Sequence, residues 1–394
     1  MATSFKSTPL ANDFIPSNLL SKKQDIYPLG LMFCNSCAHH QLSHVVNPDL
    51  MFEHYVYVSS TSQTFVKHFE NYKTSVLQNY SPSKNALIVD IGSNDGILLD
   101  FFKRDGFNVL GIDPATNLAM QANTMGIETI NRFFTSKLVE EIVTNYGQAS
   151  IVLANNVFAH IDDLSDVTKG IYNLLSDDGV FIFEVSYLKQ VIENNLFDTI
   201  YHEHLSYHTL TPLLTFFNNH AMDIIDCEEI DTHGGSIRVT VQKKDGPYIR
   251  KTSVTKIIAD ECALGFNTIN PINTLTDKIT YLKKELTALV DTIKSSGANL
   301  IGYGAPAKAT TLLYEFGLSD QLEYIIDDNP LKQGLYTPGS HIPVISPDVL
   351  MKGDLPSYMI VLAWNFANQI MEQHRYYLNQ GGHFIVPLPN LKVY

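Results

Sequence analysis

The chain has 394 residues, 45% of them apolar and 17% charged, with a formal charge of −14. That length calls for two or three domains of ordinary size, and the apolar share excludes wholesale disorder. The negative charge disfavours nucleic acid and anionic membranes as partners. No apolar run reaches the roughly 20 residues of a membrane span, and Met1–Lys6 opens no signal-peptide pattern, so a cytoplasmic location is expected.

Residues 1–54 are rich in Pro, Asn and His, show little helical period, and read as a small loop-rich module. Within it Cys34 and Cys37 form a CxxC followed by His39, His40 and His44. A structural zinc site takes four ligands, and the chain holds no second CxxC; completion by histidines and a metal-free remnant both stay open. Cys227 and Cys262 stand singly and are expected to be core thiols.

Phe65, Phe69, Tyr72 and Val76 fall at i, i+4, i+7 and i+11, which predicts an amphipathic helix between 55 and 80. From Ala86 strands and helices alternate. Strands are expected at 86–90, 108–113, 151–154 and 179–184, with helices starting at Ile97, Leu118 and Leu164 between them. Such alternation implies a parallel sheet covered by helices on both faces, an α/β class. Residues 236–242 alternate with period two, as an antiparallel strand would. Residues 273–296 carry Leu275, Ile279, Leu282, Leu286 and Leu289 on one helical face. Strands at 299–303, 322–327, 358–363 and 382–387 then build a second, smaller parallel sheet. The domains expected are 1–54, a central 55–245 and a C-terminal lobe 246–394.

The first strand of the series runs into Asp90-Ile91-Gly92-Ser93-Asn94-Asp95-Gly96. Small residues at a strand-to-helix turn leave backbone N–H groups and a helix N-terminus free to face a ligand. Asp113, about twenty residues on, ends the next strand where a carboxylate can take both ribose hydroxyls. A dinucleotide site would want G-x-G-x-x-G for its pyrophosphate. The acidic Asp95 opposes a pyrophosphate but tolerates the sulfonium or amine of S-adenosylmethionine, and the methyltransferase reading is preferred. A second turn, Gly302-Tyr-Gly304-Ala-Pro-Ala-Lys308, could receive a phosphate, with Asp327 and Asp328 closing the next strand.

Tyr201-His202-Glu203-His204, with Tyr207 nearby, packs five hydrogen-bonding or proton-exchanging side chains into seven residues. With Pro9–Asn12, Cys34–Cys37, Tyr55-Val-Tyr57, the 89–96 turn, Asn156–His160, His233–Arg238 and Gly302–Lys308, it runs in order along a chain that resembles the S-adenosylmethionine-dependent sugar C-methyltransferases. The resemblance is to enzymes acting on nucleotide-linked ketosugars. It implies a zinc module, a central methyltransferase domain and a Rossmann-like lobe enclosing one site. This chain begins at a point matching just after the family's first cysteine pair, so Cys34 and Cys37 are the zinc ligands it can supply.

The resemblance further implies His204 as the base that removes a proton beside a ketone, with Tyr201, Glu203, His160 and a tyrosine of the Tyr55/Tyr57 pair, Tyr57 preferred, as partners. Glu203 is expected to orient His204 or contact the sugar. Asp90, Gly92, Asn94, Asp95, Gly96, Asp113, Asn155 and Asn156 form the expected cofactor set. Arg238 is a candidate for the diphosphate, with an ion pair as its alternative. The expected reaction is methylation of a carbon, C-3 in the first instance, next to the keto group of a nucleotide-diphospho deoxysugar. The rivals are an O- or N-methyltransferase, an NAD-dependent oxidoreductase and a non-catalytic sugar-nucleotide binder. The oligomeric state stays open.

Overall fold

The computed structural model describes every residue except 54, 56, 57, 62, 233 and 352–354, and no side chain at 61 or 63; its three larger sheets follow one another along the chain. In the first, Thr3–Thr8, Tyr27–Phe33 and His40–Leu42 pair antiparallel. A fourth strand, Ser206–Tyr207, comes from the middle of the chain and sets Ser206 opposite Gln41 and Tyr207 opposite His40. The loop-rich expectation for 1–54 missed these strands for a physical reason. Tyr27–Phe33 buries Leu29, Gly30 and Leu31 consecutively and so shows no period of two.

The central sheet has the spatial order Met222–Ile230, Ser236–Lys243, Leu175–Ser186, Ala149–Asn155, Leu87–Ile91, Asn108–Ile112, Thr129–Ile130. The five strands from Leu175–Ser186 outward are parallel, and Ser236–Lys243 and Met222–Ile230 add an antiparallel pair at one edge. Leu87–Ile91 is buried along its whole length because both faces are covered. Phe69, Tyr72 and Val76 of the expected helix, here Gln63–Tyr80, pack with Leu98, Leu99 and Phe102 on one face. Leu138, Val139, Ile142, Val167 and Ile171 cover the other.

Helix Ser136–Tyr146, absent from the sequence reading, starts where the Thr135 side chain accepts the Leu138 N–H. Helix Thr252–Ala263 buries Val254, Ile257 and Glu261, which turns Cys262 outward. The expectation of a core thiol there is therefore corrected, whereas Cys227 is buried as expected.

In the C-terminal lobe Leu300–Tyr303 lies between Ile325–Ile326 and Tyr358–Val361, all parallel, with His383–Val386 beyond. The long helix Asn270–Ser295 buries Leu275, Ile279, Leu282 and Leu286, and its core is continuous with residues of the N-terminal sheet such as Leu29, Leu31 and Leu42.

Where the first sheet meets the central domain, two imidazoles are fully buried and a third is half-buried. His39 lies 5.4 Å ring to ring from His208, which stacks on Phe158, and His40 packs on Phe33. Burial pushes His39 and His40 down to about 4 and His208 to about 3. A folded-state pKa below the unfolded value of roughly 6.5 gives stability that is present above that pH and is lost as pH falls through it. We expect the stability difference between pH 7.5 and pH 5, measured by urea denaturation, to be smaller in His208→Phe than in the parent. Equal losses in the two proteins would contradict this assignment.

Candidate active site

The turn after Leu87–Ile91 needs its glycines. Gly92 and Gly96 have φ of 69° and 80°, and a Cβ on Gly92 would stand 2.3 Å from Val157 Cγ2. The Gly92 N–H donates to the Ile112 carbonyl at 2.7 Å, tying the turn to the neighbouring strand. Just beyond, Asp113 Oδ2 accepts the Asn94 N–H and Oδ1 accepts the Ala115 N–H, each at 2.8 Å. Burial raises the Asp113 pKa against those two amides.

Asp90 is 4% exposed and its Oδ1 has no hydrogen-bond partner. Burial, then the Asp113 charge, pushes Asp90 up to about 8. On the other side Ala149–Asn155 ends beside the turn. Asn156, at φ 57°, donates its N–H to the Glu184 carbonyl at 2.8 Å, and neither amide atom of Asn155 finds a partner. Ser59 and Ser60 donate their N–H groups to Asn94 Oδ1 at 2.9 Å and Asp95 Oδ2 at 3.1 Å.

The whole expected cofactor set is thus gathered at the carboxyl ends of three adjacent strands. Orphaned polar atoms around a turn that admits only glycine fit a nucleoside cofactor with a positive centre.

The Tyr201–His204 segment leaves a short helical turn, Phe197–Thr199; Tyr201 and His204 lie together, while His202 and Glu203 turn to the N-terminal part of the chain. His204 Nδ1 lies 2.7 Å from the Thr199 carbonyl and therefore carries the proton, which leaves the Nε2 lone pair for chemistry. Burial lowers His204 to about 4, so the ring is neutral at pH 7. Tyr201 and His160 flank it, with ring centroids 4.4 and 5.0 Å away, and Phe52 stacks on the far side of His160 at 5.7 Å.

Glu203 points elsewhere. Its carboxylate accepts from Asn12 Nδ2 at 2.7 Å and from the Tyr55 hydroxyl at 2.9 Å. Burial raises it to about 6 against those two bonds and the charge of Lys332. The idea that Glu203 orients His204 is corrected: the Thr199 carbonyl does so. His202 is buried and bonded to the Pro28 carbonyl, not solvated.

Of the tyrosine pair, Tyr55 reaches Glu203, while Tyr57 lies outside the described residues. Tyr55, Ser59 and Ser60 together reach both halves of the site: the Tyr55 hydroxyl meets Glu203, the Asn117 side chain donates to the Tyr55 carbonyl at 2.9 Å, and Ser59 and Ser60 close the glycine turn. Thr199, Phe52 and Lys332 were missed by the sequence reading. None belongs to a dense polar motif, and only the pattern of partners reveals them.

Two basic residues are not available to a phosphate. Arg238 lies over the Tyr72 ring and is bonded to Glu184 and Glu228 at 2.6 Å each, while His68 takes the other Glu184 oxygen at 2.9 Å. Lys308 is turned inward beside Asp198. Cys34 and Cys37 are exposed, and the Cys37 N–H lowers the Cys34 thiol. Among the described residues no group of three His, Cys, Asp or Glu side chains could hold a metal ion. His39 turns to Ser206, and His40 lies beneath Phe33. Two thiols do not make a closed four-ligand zinc site, so the described residues alone do not fit one.

The chain matches three family models in succession: "Putative zinc binding domain" over residues 1–52, "Methyltransferase domain" over 65–221 and "C-methyltransferase C-terminal domain" over 231–389. It is 37% identical to the C-methyltransferase NovU of Streptomyces niveus over 391 residues, 99% of this chain and 93% of the relative. An S-adenosylmethionine-dependent methyltransferase from Clostridium acetobutylicum aligns with 45% of this chain and 92% of its own at 15% identity and a TM-score of 0.37. For the PH0226 protein of Pyrococcus horikoshii the figures are 50%, 97%, 14% and 0.38.

A positive centre placed near Asp90 pulls its pKa back down and expels its proton. Calorimetry with S-adenosylmethionine at pH 7.5 is therefore expected to give a binding enthalpy that differs between phosphate and Tris buffers, from release of up to about one proton. The difference should vanish in Asp90→Asn. Enthalpies that agree in the two buffers for the parent protein would exclude this coupling.

Proposed function

The chain belongs to the S-adenosylmethionine-dependent C-methyltransferase family, and we propose that its substrate is a nucleotide-diphospho deoxy-ketosugar methylated at the carbon beside the ketone, C-3 in the first instance. The observation that carries this reading is the state of His204: neutral, with Nδ1–H given to Thr199 and Nε2 open.

A sugar carbon becomes a nucleophile only by losing a proton made acidic by an adjacent carbonyl. His204 Nε2 takes that proton, and the resulting enolate oxygen needs a donor, a role that suits the Tyr201 hydroxyl or the His160 ring beside it. Lowered basicity is offset by the full population of the neutral base and by exclusion of water. Glu203, tied to Asn12 and Tyr55, is suited to receive a sugar hydroxyl with its remaining lone pairs. When bound at the Asp90–Gly96 turn, the cofactor supplies a methyl group on a sulfonium. The chain's part in the transfer is to hold the two reactants together, since Tyr55 touches Glu203 while Ser59 and Ser60 touch the glycine turn. No metal enters this account.

A screen of nucleotide ketosugars for methyl transfer, read by mass spectrometry, tests cofactor, reaction and substrate at once. The accepted sugar should exchange its ring proton for deuterium in heavy water. Methyl transfer to oxygen or nitrogen without exchange would replace this reading by an O- or N-methyltransferase. His204→Ala should lower turnover by about 10²–10⁴-fold and stop the exchange.

The pH profile follows from the sign of the His204 shift. A base with a depressed pKa stays unprotonated below the ordinary histidine value, so the acid limb of kcat/KM is expected below pH 6.5. A limb centred above 7 would contradict the assignment.

A further inference from the structure

The turn Phe197–Thr199 that feeds the Tyr201–His204 segment is seated in the C-terminal lobe. In that lobe's sheet the chain leaves Leu300–Tyr303 and fills first one side, with Ile325–Ile326, and then the other, with Tyr358–Val361. An open α/β sheet holds its ligands at such a switch point, outside the carboxyl ends of the strands. Here the occupant is a carboxylate of the chain itself.

Asp198 is fully buried. Its Oδ2 accepts Trp364 Nε1–H at 2.6 Å and stands 3.7 Å from the Lys308 ammonium, which in turn lies 3.9 Å over the Trp364 ring. Lys308 follows the turn after Leu300–Tyr303, and Trp364 follows Tyr358–Val361, so both strands at the switch point deliver a side chain to one carboxylate. The tether continues along the backbone. Thr311 Oγ1 donates to the Ile200 carbonyl at 2.8 Å, and between Asp198 and Ile200 lies the Thr199 carbonyl that takes His204 Nδ1–H at 2.7 Å.

We propose that Asp198 is a positioning residue for methyl transfer: its capture by Trp364 and Lys308 fixes the Thr199 carbonyl that holds His204 in the Nδ1–H tautomer. The C-terminal lobe thereby sets the readiness of a histidine carried by the central domain. The proposal rests on the reading of His204 as the base. Asp198 acts through one peptide unit and touches no reacting atom. A merely adhesive Asp198 would lower stability and leave the imidazole as it is.

The test uses two variants of the full chain. Asp198→Asn keeps the shape and removes the charge facing Lys308; Trp364→Phe keeps the packing and removes the donor. In 15N-histidine-labelled protein the His204 ring signals, assigned by their absence from His204→Gln, report the tautomer. In both variants they should move from the single-tautomer position toward the averaged one. With the sugar identified by the screen, kcat should fall about 10- to 100-fold. The S-adenosylmethionine dissociation constant should stay within about twofold, because the cofactor turn is untouched. A His204 signal that does not move while kcat falls overturns the positioning role and leaves the base reading standing. A moved signal with unchanged kcat removes His204 as the base, and the proposal with it. Should Asp198→Asn fail to fold, Trp364→Phe decides alone.

Discussion

A buried stretch of irregular backbone must have its N–H and C=O groups satisfied, and the stretch from Phe197 to Thr211 does so partly within its own turns while its side chains and remaining backbone are held by every part of the molecule. Asp198 and Ile200 are held by Trp364 and Thr311 of the C-terminal lobe. Glu203 and His202 are held by Asn12 and Pro28 of the N-terminal sheet, and Ser206–Tyr207 completes that sheet as its fourth strand. At the far end the Glu261 carboxylate receives the Leu210 and Thr211 N–H groups, an anion at the start of the helix Leu210–Asn219. No unit alone could order this segment. The surroundings of His204 are therefore a property of the assembled chain.

Burial has opposite consequences for the groups around the site, and the difference sorts their roles. His204, His39, His40 and His208 are driven neutral, which for His204 leaves a free lone pair and for the others yields a packing element. Asp90 and Glu203 are driven toward their protonated forms, so each gains if a positive or hydrogen-bonding ligand arrives. Glu184 is the contrast: Arg238 and His68 hold it below the usual carboxylate range despite its burial, and it serves the fold. Breaking such a pair would leave an uncompensated charge in the interior, which explains why Arg238 does not leave it for a diphosphate.

The two α/β sheets carry the same device at their first crossover. Gly304 N–H donates to the Ile326 carbonyl as Gly92 does to Ile112, both at 2.7 Å. Asp327 then accepts from Ala305 N at 2.6 Å and from Asn329 N at 2.8 Å, as Asp113 accepts from Asn94 and Ala115. The surroundings differ. Around Asp113 lie the partnerless oxygen of Asp90 and the partnerless amide of Asn155; beyond Asp327 lie Asp198, Lys308 and Trp364, where Asp198 Oδ2 is bonded and Oδ1 has no partner. One turn fits a ligand and the other holds the Phe197–Thr199 turn.

Local pattern alone determined most elements of both sheets, because a strand covered on both faces is a short apolar run and a core helix repeats every three to four residues; strands Thr129–Ile130 and Met222–Ile230 and helix Ser136–Tyr146 were not among them. The Gly92–Gly96 turn with Asp113 was legible because backbone geometry there tolerates few residue types. Tyr201, Glu203 and His204 were legible as a crowded set of polar groups, and His160 through the family resemblance. Local pattern could not reveal partners far apart in sequence. That Thr199 and not Glu203 orients His204, that Tyr55 reaches Glu203, and that Lys308 and Arg238 face inward each depend on residues 5 to 148 positions away. Those distances are bridged only when three units pack, since burial, and not residue type, decides which polar group meets which.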